Sequence, residues 1–180
     1  DEPGVAEATV QFLGDFARHG FVIIRDTPQV EGTVETVANH IGYISGNNFG
    51  WVFDVLNEAT PTDLAYTAIE LKAHTDQPYR KSQPGLQLLH CLTNGAQGGD
   101  SLLVDGFAAT ETLRRERPDL HEVLATVPVD FRYDMGSDVV VDTGPMIELD
   151  ANGQFRQMRY NTKLDLPIPV DGADLDGWYE

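Results

Sequence analysis

A chain of 180 residues with 41% hydrophobic content is long enough for one domain with a substantial core, which excludes a disordered or fibrous protein. Its formal charge of −17 argues against nucleic acid or an anionic membrane surface as partner, since both are polyanions. The single cysteine, Cys91, excludes an internal disulfide and any multi-cysteine zinc site.

Val5, Ala8, Phe12 and Phe16 recur at helical spacing ahead of Gly20, which predicts an amphipathic helix over 4–19. The apolar run GFVIIRD, residues 20–26, has the character of a strand buried on both faces. A second helix is expected over 33–40, ending at Gly42. Residues 43–69 are mixed, with turn signals at Gly46-Asn47-Asn48 and Thr60-Pro61-Thr62-Asp63. From residue 70 the pattern turns to strands. GLQLLHCL (85–92) reads as a core strand carrying Cys91 as a buried thiol, Gly98-Gly99 as a turn, and SLLVDGF (101–107) as another strand. Helices are expected over 108–116 and 118–126, the second with proline at its first position. Strands follow over 127–134, 145–150 and 154–161, the last two joined by a turn at Asp150-Ala151-Asn152-Gly153.

Helices followed by many short strands predict an α+β, mainly β architecture: a sandwich or open barrel with helices packed outside, forming a single domain over 1–180. No apolar stretch approaches the roughly 20 residues that span a bilayer, and no signal-peptide pattern opens the sequence, so a cytoplasmic protein is expected.

The stretch ELKAHTDQPYRKSQPGLQLLHCL contains His74-Thr75-Asp76. In an extended segment side chains two apart share a face, so an imidazole and a carboxylate point the same way. That pair supplies two ligands of a 2-His-1-carboxylate facial triad, which leaves open positions on Fe(II) for a chelating oxo acid and dioxygen. On its own a His-x-Asp is a weak signal, and a pair of polar residues at a strand end is the commoner explanation.

Its surroundings add to it. HTDQPY, then PGLQLLHC, then GGDSLLVDGF resembles the iron(II)/2-oxoglutarate dioxygenases of the taurine dioxygenase superfamily, and within it the gamma-butyrobetaine hydroxylase and trimethyllysine dioxygenase group. The resemblance runs from residue 20 to about 163. It implies a double-stranded β-helix, or jelly roll, with flanking helices. It makes His74 and Asp76 the first two iron ligands, and Ser101 a hydroxyl that helps to bind the 2-oxoglutarate side chain; strand-edge hydrogen bonding is an equal reading of Ser101. The third ligand, a histidine, and the arginine that grips 2-oxoglutarate are implied beyond Glu180. The other histidines replace neither: His19, His40 and His121 belong to helices, and His90 matches a position that does not bind iron.

The resemblance also implies a small quaternary ammonium substrate held by aromatic faces, since such a cation cannot donate a hydrogen bond. Phe49, Phe53 and Tyr66 stand at the positions of that cage; read alone, both phenylalanines are core residues. Asp63 stands where butyrobetaine hydroxylases carry asparagine, and Asn161-Thr162-Lys163 replaces a segment associated with the substrate carboxylate. Hydroxylation of gamma-butyrobetaine is therefore the leading expectation. The same chemistry on a 2-(trimethylammonio)ethylphosphonate or trimethyllysine is the alternative, and a silent jelly-roll binding module is the non-enzymatic one. Fe(II), 2-oxoglutarate and dioxygen are the implied cofactor and cosubstrates, and a homodimer the implied assembly. A zinc hydrolase built on the same pair has no HExxH or cysteine set to support it.

Overall fold

The computed structural model describes residues 3–56, 71–95, 97–134, 136, 139–162 and 164. The chain divides into two compact units, Asp1–Ile69 with Leu86–Asp100, and Glu70–Gly85 with Ser101–Glu180.

The first unit carries two helices. Helix α1 (Pro3–His19) ends where expected: Gly20 adopts φ 76° and its N–H closes on Phe16 O at 2.8 Å. Helix α2 (Thr33–Ile41) ends at Gly42, whose N–H reaches Ala38 O at 2.9 Å. The strands expected over 20–26 and 85–92 are not formed. Both segments are irregular, and Phe21, Ile23, Ile24, Leu86 and Leu89 stand exposed. A strand exists only through hydrogen-bonded neighbours, and these segments have none among the described residues. Cys91, expected in a buried strand, is exposed for the same reason.

The second unit is more regular. The strand expected over 101–107 is replaced by an irregular segment and by helix α3 (Gly106–Glu116), which begins two residues earlier than its apolar pattern suggests. The cause is Asp105, whose Oδ1 accepts from Ala108 N at 3.0 Å and so satisfies an orphan donor of the first turn. Helix α4 (Pro118–Thr126) starts with proline at its first position, where no backbone N–H is missed.

Two antiparallel hairpins follow. Strand β1 (Pro128–Asp134) pairs with β2 (Val139–Pro145) in a register that sets Val129 opposite Gly144 and Phe131 opposite Asp142. Strand β2 is absent from the sequence expectation. Strand β3 (Ile147–Leu149) pairs with β4 (Phe155–Met158), both shorter than expected, with a bulge at Glu148/Leu149 inside the ladder. Helices with small antiparallel sheets bear out the α+β reading at that level.

The core of this unit is the cluster Tyr79, Val129 and Phe131, with Val123, Leu124, Val127, Tyr133, Val140, Met146 and Leu164 packed around it. It fills one face of β1, as the alternation of Val129 and Phe131 requires. Among the described residues no helix is long and apolar enough to cross a membrane.

The turn between β3 and β4 forms at its expected place. Asp150 N–H donates to Gln154 O at 2.7 Å, and Gly153 supplies the left-handed φ of 74°. The Asp150 carboxylate accepts from the N–H groups of Gln154 and Asn152, which together hold its pKa below the ordinary 3.8. A carboxylate depressed in the folded state contributes stability fully above its unfolded pKa and loses it as pH falls through the folded one. The melting temperature is therefore expected to fall more steeply for the wild type than for Asp150→Asn between about pH 5 and about pH 2. Parallel curves for the two would show that the turn contributes nothing to the acid limb.

Candidate metal and substrate site

His74-Thr75-Asp76 lies in the irregular segment 71–85 of the second unit, not in a regular strand, yet the alternation expected of extended backbone holds. Thr75 turns to one side. Its N–H donates to Tyr160 O at 2.7 Å, and its Oγ1 accepts from Tyr160 N at 2.9 Å. On the other side, His74 Nε2 and Asp76 Oδ1 converge to 3.2 Å, with side chains 33% and 43% exposed, so both are open to a ligand from solvent.

The imidazole is oriented through its second nitrogen. His74 Nδ1 lies 2.6 Å from Lys72 O, and a carbonyl oxygen can only accept, so Nδ1 carries the hydrogen. In the neutral ring Nε2 then presents a lone pair to a carboxylate oxygen. Two lone pairs at 3.2 Å repel unless a cation, either a proton on the ring or a metal ion, lies between or beside them. Two ligands each about 2.1 Å from a metal and at right angles to one another stand about 3.0 Å apart, so the observed separation fits adjacent positions of an octahedral ion. A backbone carbonyl on the far nitrogen is also the usual partner of a metal-bound histidine. The donor set and its spacing thus fit Fe(II), as far as two ligands go. Among the described residues no group of three His, Cys, Asp or Glu side chains gathers here or elsewhere.

The segment that follows is held tightly. Gln77, Pro78 and Tyr79 are buried, and Gln77 adopts φ 53°, a left-handed conformation that costs a non-glycine residue about 1 kcal/mol or more. Tyr79 enters the core and stacks on Tyr133, with centroids 5.0 Å apart and planes at 16°. Pro78 O accepts from Arg159 Nη1 at 3.2 Å. Arg159 is only 4% exposed, and a buried guanidinium requires partners; Asp142 and Glu148 provide them, the latter at 2.7 Å from Nε. Gln157 Nε2 in turn donates to Glu148 Oε2 at 2.7 Å.

Sequence reasoning did not single out Arg159, Asp142, Glu148 or Thr75. One signal was available for Arg159. It shares the strand parity of Phe155 and Gln157, two of the three half-buried side chains of β4, and a cation on an inward parity demands a carboxylate opposite.

The remaining predicted residues divide. Asn161 is half-buried and follows Tyr160, so the pairing with Thr75 brings its backbone beside the His74–Asp76 segment. Ser101 is exposed ahead of α3 and is not joined to His74 or Asp76 by a hydrogen bond among the described residues. In the first unit, Phe49 and Phe53 do meet, with centroids 5.2 Å apart and planes at 32°. A tight turn places them: Asn47 and Gly50 exchange two backbone hydrogen bonds of 3.0 Å, and Asn47 Oδ1 accepts from Phe49 N at 2.8 Å. Rings this close pack on each other, so the two present one joined aromatic surface and not two facing walls. Tyr66 and Asp63 lie outside the described residues.

Residues 5–180 match the family model described as taurine catabolism dioxygenase TauD, TfdA family. The chain is 42% identical over 161 residues to a gamma-butyrobetaine dioxygenase of Pseudomonas sp. (strain AK-1), covering 89% of this chain and 42% of that protein. It is 32% identical to the trimethyllysine dioxygenase of Meyerozyma guilliermondii, covering 89% and 39% respectively. It is 30% identical to the human gamma-butyrobetaine dioxygenase, covering 90% and 44%. The chain thus spans about two fifths of the length of these relatives. With nearly its whole length inside the family match, this chain belongs to the taurine catabolism dioxygenase TauD, TfdA family.

Proposed function

We propose that the protein is an iron(II)- and 2-oxoglutarate-dependent dioxygenase that hydroxylates a C–H bond of a small trimethylammonium substrate of the gamma-butyrobetaine type. The observation that carries the reading is the convergence of His74 Nε2 and Asp76 Oδ1 to 3.2 Å, with the imidazole hydrogen committed to Lys72 O. It is supported by the family match and by relatives named for gamma-butyrobetaine and trimethyllysine.

In this proposal His74 and Asp76 hold the ferrous ion as two of the three protein ligands that the family resemblance implies. Bound there with 2-oxoglutarate, the ion supplies dioxygen activation, the oxo acid leaving as succinate and carbon dioxide. The chain's own contribution is placement. Asp76 sets a negative charge against the cation, and the Lys72 carbonyl fixes the ring plane of His74. Ser101 binds the far carboxylate of 2-oxoglutarate. On the family resemblance, Phe49, Phe53 and Tyr66 are assigned to the trimethylammonium group, whose charge aromatic rings attract, and Asp63 and Asn161 to the rest of the substrate. The jelly-roll fold, a single partial catalytic domain over 1–180, a homodimer and a cytoplasmic location belong to the same proposal, supported by the family resemblance.

The test is an assay with Fe(II), ascorbate and 2-oxoglutarate. Succinate is expected to form in step with hydroxylated product when gamma-butyrobetaine is added. A tert-butyl analogue of the same shape lacks the charge and loses a cation–π attraction of about 0.5–2 kcal/mol, so its KM is expected to rise roughly 2- to 30-fold. Equal turnover of taurine, or no preference for the cation over its neutral analogue, would discard the aromatic cage.

A further inference from the structure

Among the described residues no sheet holds the His74–Asp76 segment, yet its two donors stand at a defined separation. What fixes them is visible on both sides. Before Asp76, Thr75 is tied to Tyr160 by two hydrogen bonds of 2.7 and 2.9 Å. After it, the backbone passes through the left-handed Gln77 and is caught at Pro78, whose carbonyl accepts from Arg159. Arg159 and Tyr160 are consecutive, so a single stretch of chain grips the ligand-bearing segment on either side of Asp76.

The grip at Arg159 is built to be rigid. A guanidinium is planar with donors in a fixed fork, so holding Nη1 and Nε sets the direction of every N–H. Asp142 from β2 takes Nη1, and Glu148 from β3 takes Nε at 2.7 Å. Gln157 fixes the second oxygen of Glu148. Gly144 closes the space behind: a Cβ there would stand 3.3 Å from Arg159 Cζ, tighter than ordinary contact. The strained φ at Gln77 persists only where its surroundings over-determine it, and the Pro78 carbonyl is the point at which Arg159 does so.

We propose that Arg159 is a positioning residue for the metal site: held by Asp142 and Glu148, it fixes the Gln77-Pro78 turn and thereby the direction in which Asp76 presents its carboxylate. The proposal rests on the reading of His74 and Asp76 as iron ligands and extends it to three residues that touch neither the metal nor the substrate. Arg159→Lys keeps the charge but loses the fork, so the carbonyl and both carboxylates can no longer be held at once.

The test is anaerobic Fe(II) affinity of the protein by equilibrium dialysis, with the absorption spectrum of the Co(II)-substituted protein as a readout of ligand geometry. Arg159→Lys is expected to weaken Fe(II) binding about 10- to 100-fold, the range for partners behind metal ligands, and to alter the Co(II) spectrum. Gly144→Ala, which keeps every charge and displaces the guanidinium by a few tenths of an ångström, is expected to weaken it about 3-fold or more. It carries the test should Arg159→Lys fail to fold. Leu120→Ala, a buried change on α4 at an apolar residue outside both these hydrogen bonds and the Tyr79–Val129–Phe131 cluster, is expected to lower the melting temperature while metal affinity stays within about 2-fold. Wild-type affinity and spectrum in both Arg159→Lys and Gly144→Ala would overturn the proposal, as would an equal loss in Leu120→Ala. Loss of iron in His74→Ala beside unchanged affinity in both Arg159→Lys and Gly144→Ala would discard the clamp and leave the metal site standing. Retention of iron by His74→Ala would discard the metal site itself.

Discussion

Alanine at His74 or Asp76 is expected to lower substrate-dependent succinate formation by at least about 100-fold, more than the loss of any residue behind the ligands. The physical basis is the pair itself. Each side chain supplies one of two donors 3.2 Å apart, and removing either breaks the pair that holds the ion at this segment. Fold damage does not explain such a loss, because both side chains are substantially exposed and neither enters the core cluster. The circular dichroism spectrum and melting temperature are therefore expected to stay at wild-type values in both variants. Asp76→Asn separates charge from geometry: it keeps an oxygen donor in place but removes the negative charge, so its activity should fall between those of Asp76→Ala and the wild type. A variant of either residue with undiminished turnover would contradict the assignment.

The second large effect is expected at Phe131, whose side chain is fully buried in the cluster with Tyr79 and Val129. Truncation to alanine removes the apolar burial and leaves a cavity, a combined cost of about 3–5 kcal/mol. Against a total stability of about 5–15 kcal/mol this is a large share. For a chain of this size the melting temperature should fall by roughly 6–20 °C. The change also reaches the site, because Tyr79 belongs both to the core and to the HTDQPY segment. Phe131→Ala is therefore expected to weaken metal binding in addition to stability, whereas Leu120→Ala lowers stability alone. A fall of less than about 3 °C would show that the cluster does not hold the unit together.

How much of this was legible in the sequence follows from how local each signal is. Helices α1 and α4 were readable because their ends are set by single residues: Gly20 closes one, and Pro118 opens the other. The β3–β4 turn was readable for the same reason, since Asp150 and Gly153 carry the turn chemistry within four residues. The runs 20–26, 85–92 and 101–107 failed as strands because apolar composition shows that a segment can be a strand, not that a partner lies beside it. In the last of them a local signal won, as Asp105 caps a helix inside the expected strand. Strand β2 was missed despite Val139-Val140-Val141, a β-branched run directly after Gly136-Ser137-Asp138 and therefore a hairpin in ordinary turn chemistry.

The site shows the same division. His74 and Asp76 are two residues apart, so their shared direction follows from the spacing alone. Arg159 finds its partners 11, 17 and 81 residues away, at Glu148, Asp142 and Pro78, and no window along the chain contains that set. The pairing of Thr75 with Tyr160, 85 residues on, is equally remote. The pairing of an imidazole with a carboxylate is a local property here, and its placement is a tertiary one.

The most direct test of the central claim is the stoichiometry of anaerobic Fe(II) binding with 2-oxoglutarate present. About one ferrous ion per wild-type chain is expected, and less than about a tenth of that in His74→Ala and in Asp76→Ala. Full ferrous occupancy in either variant would contradict it.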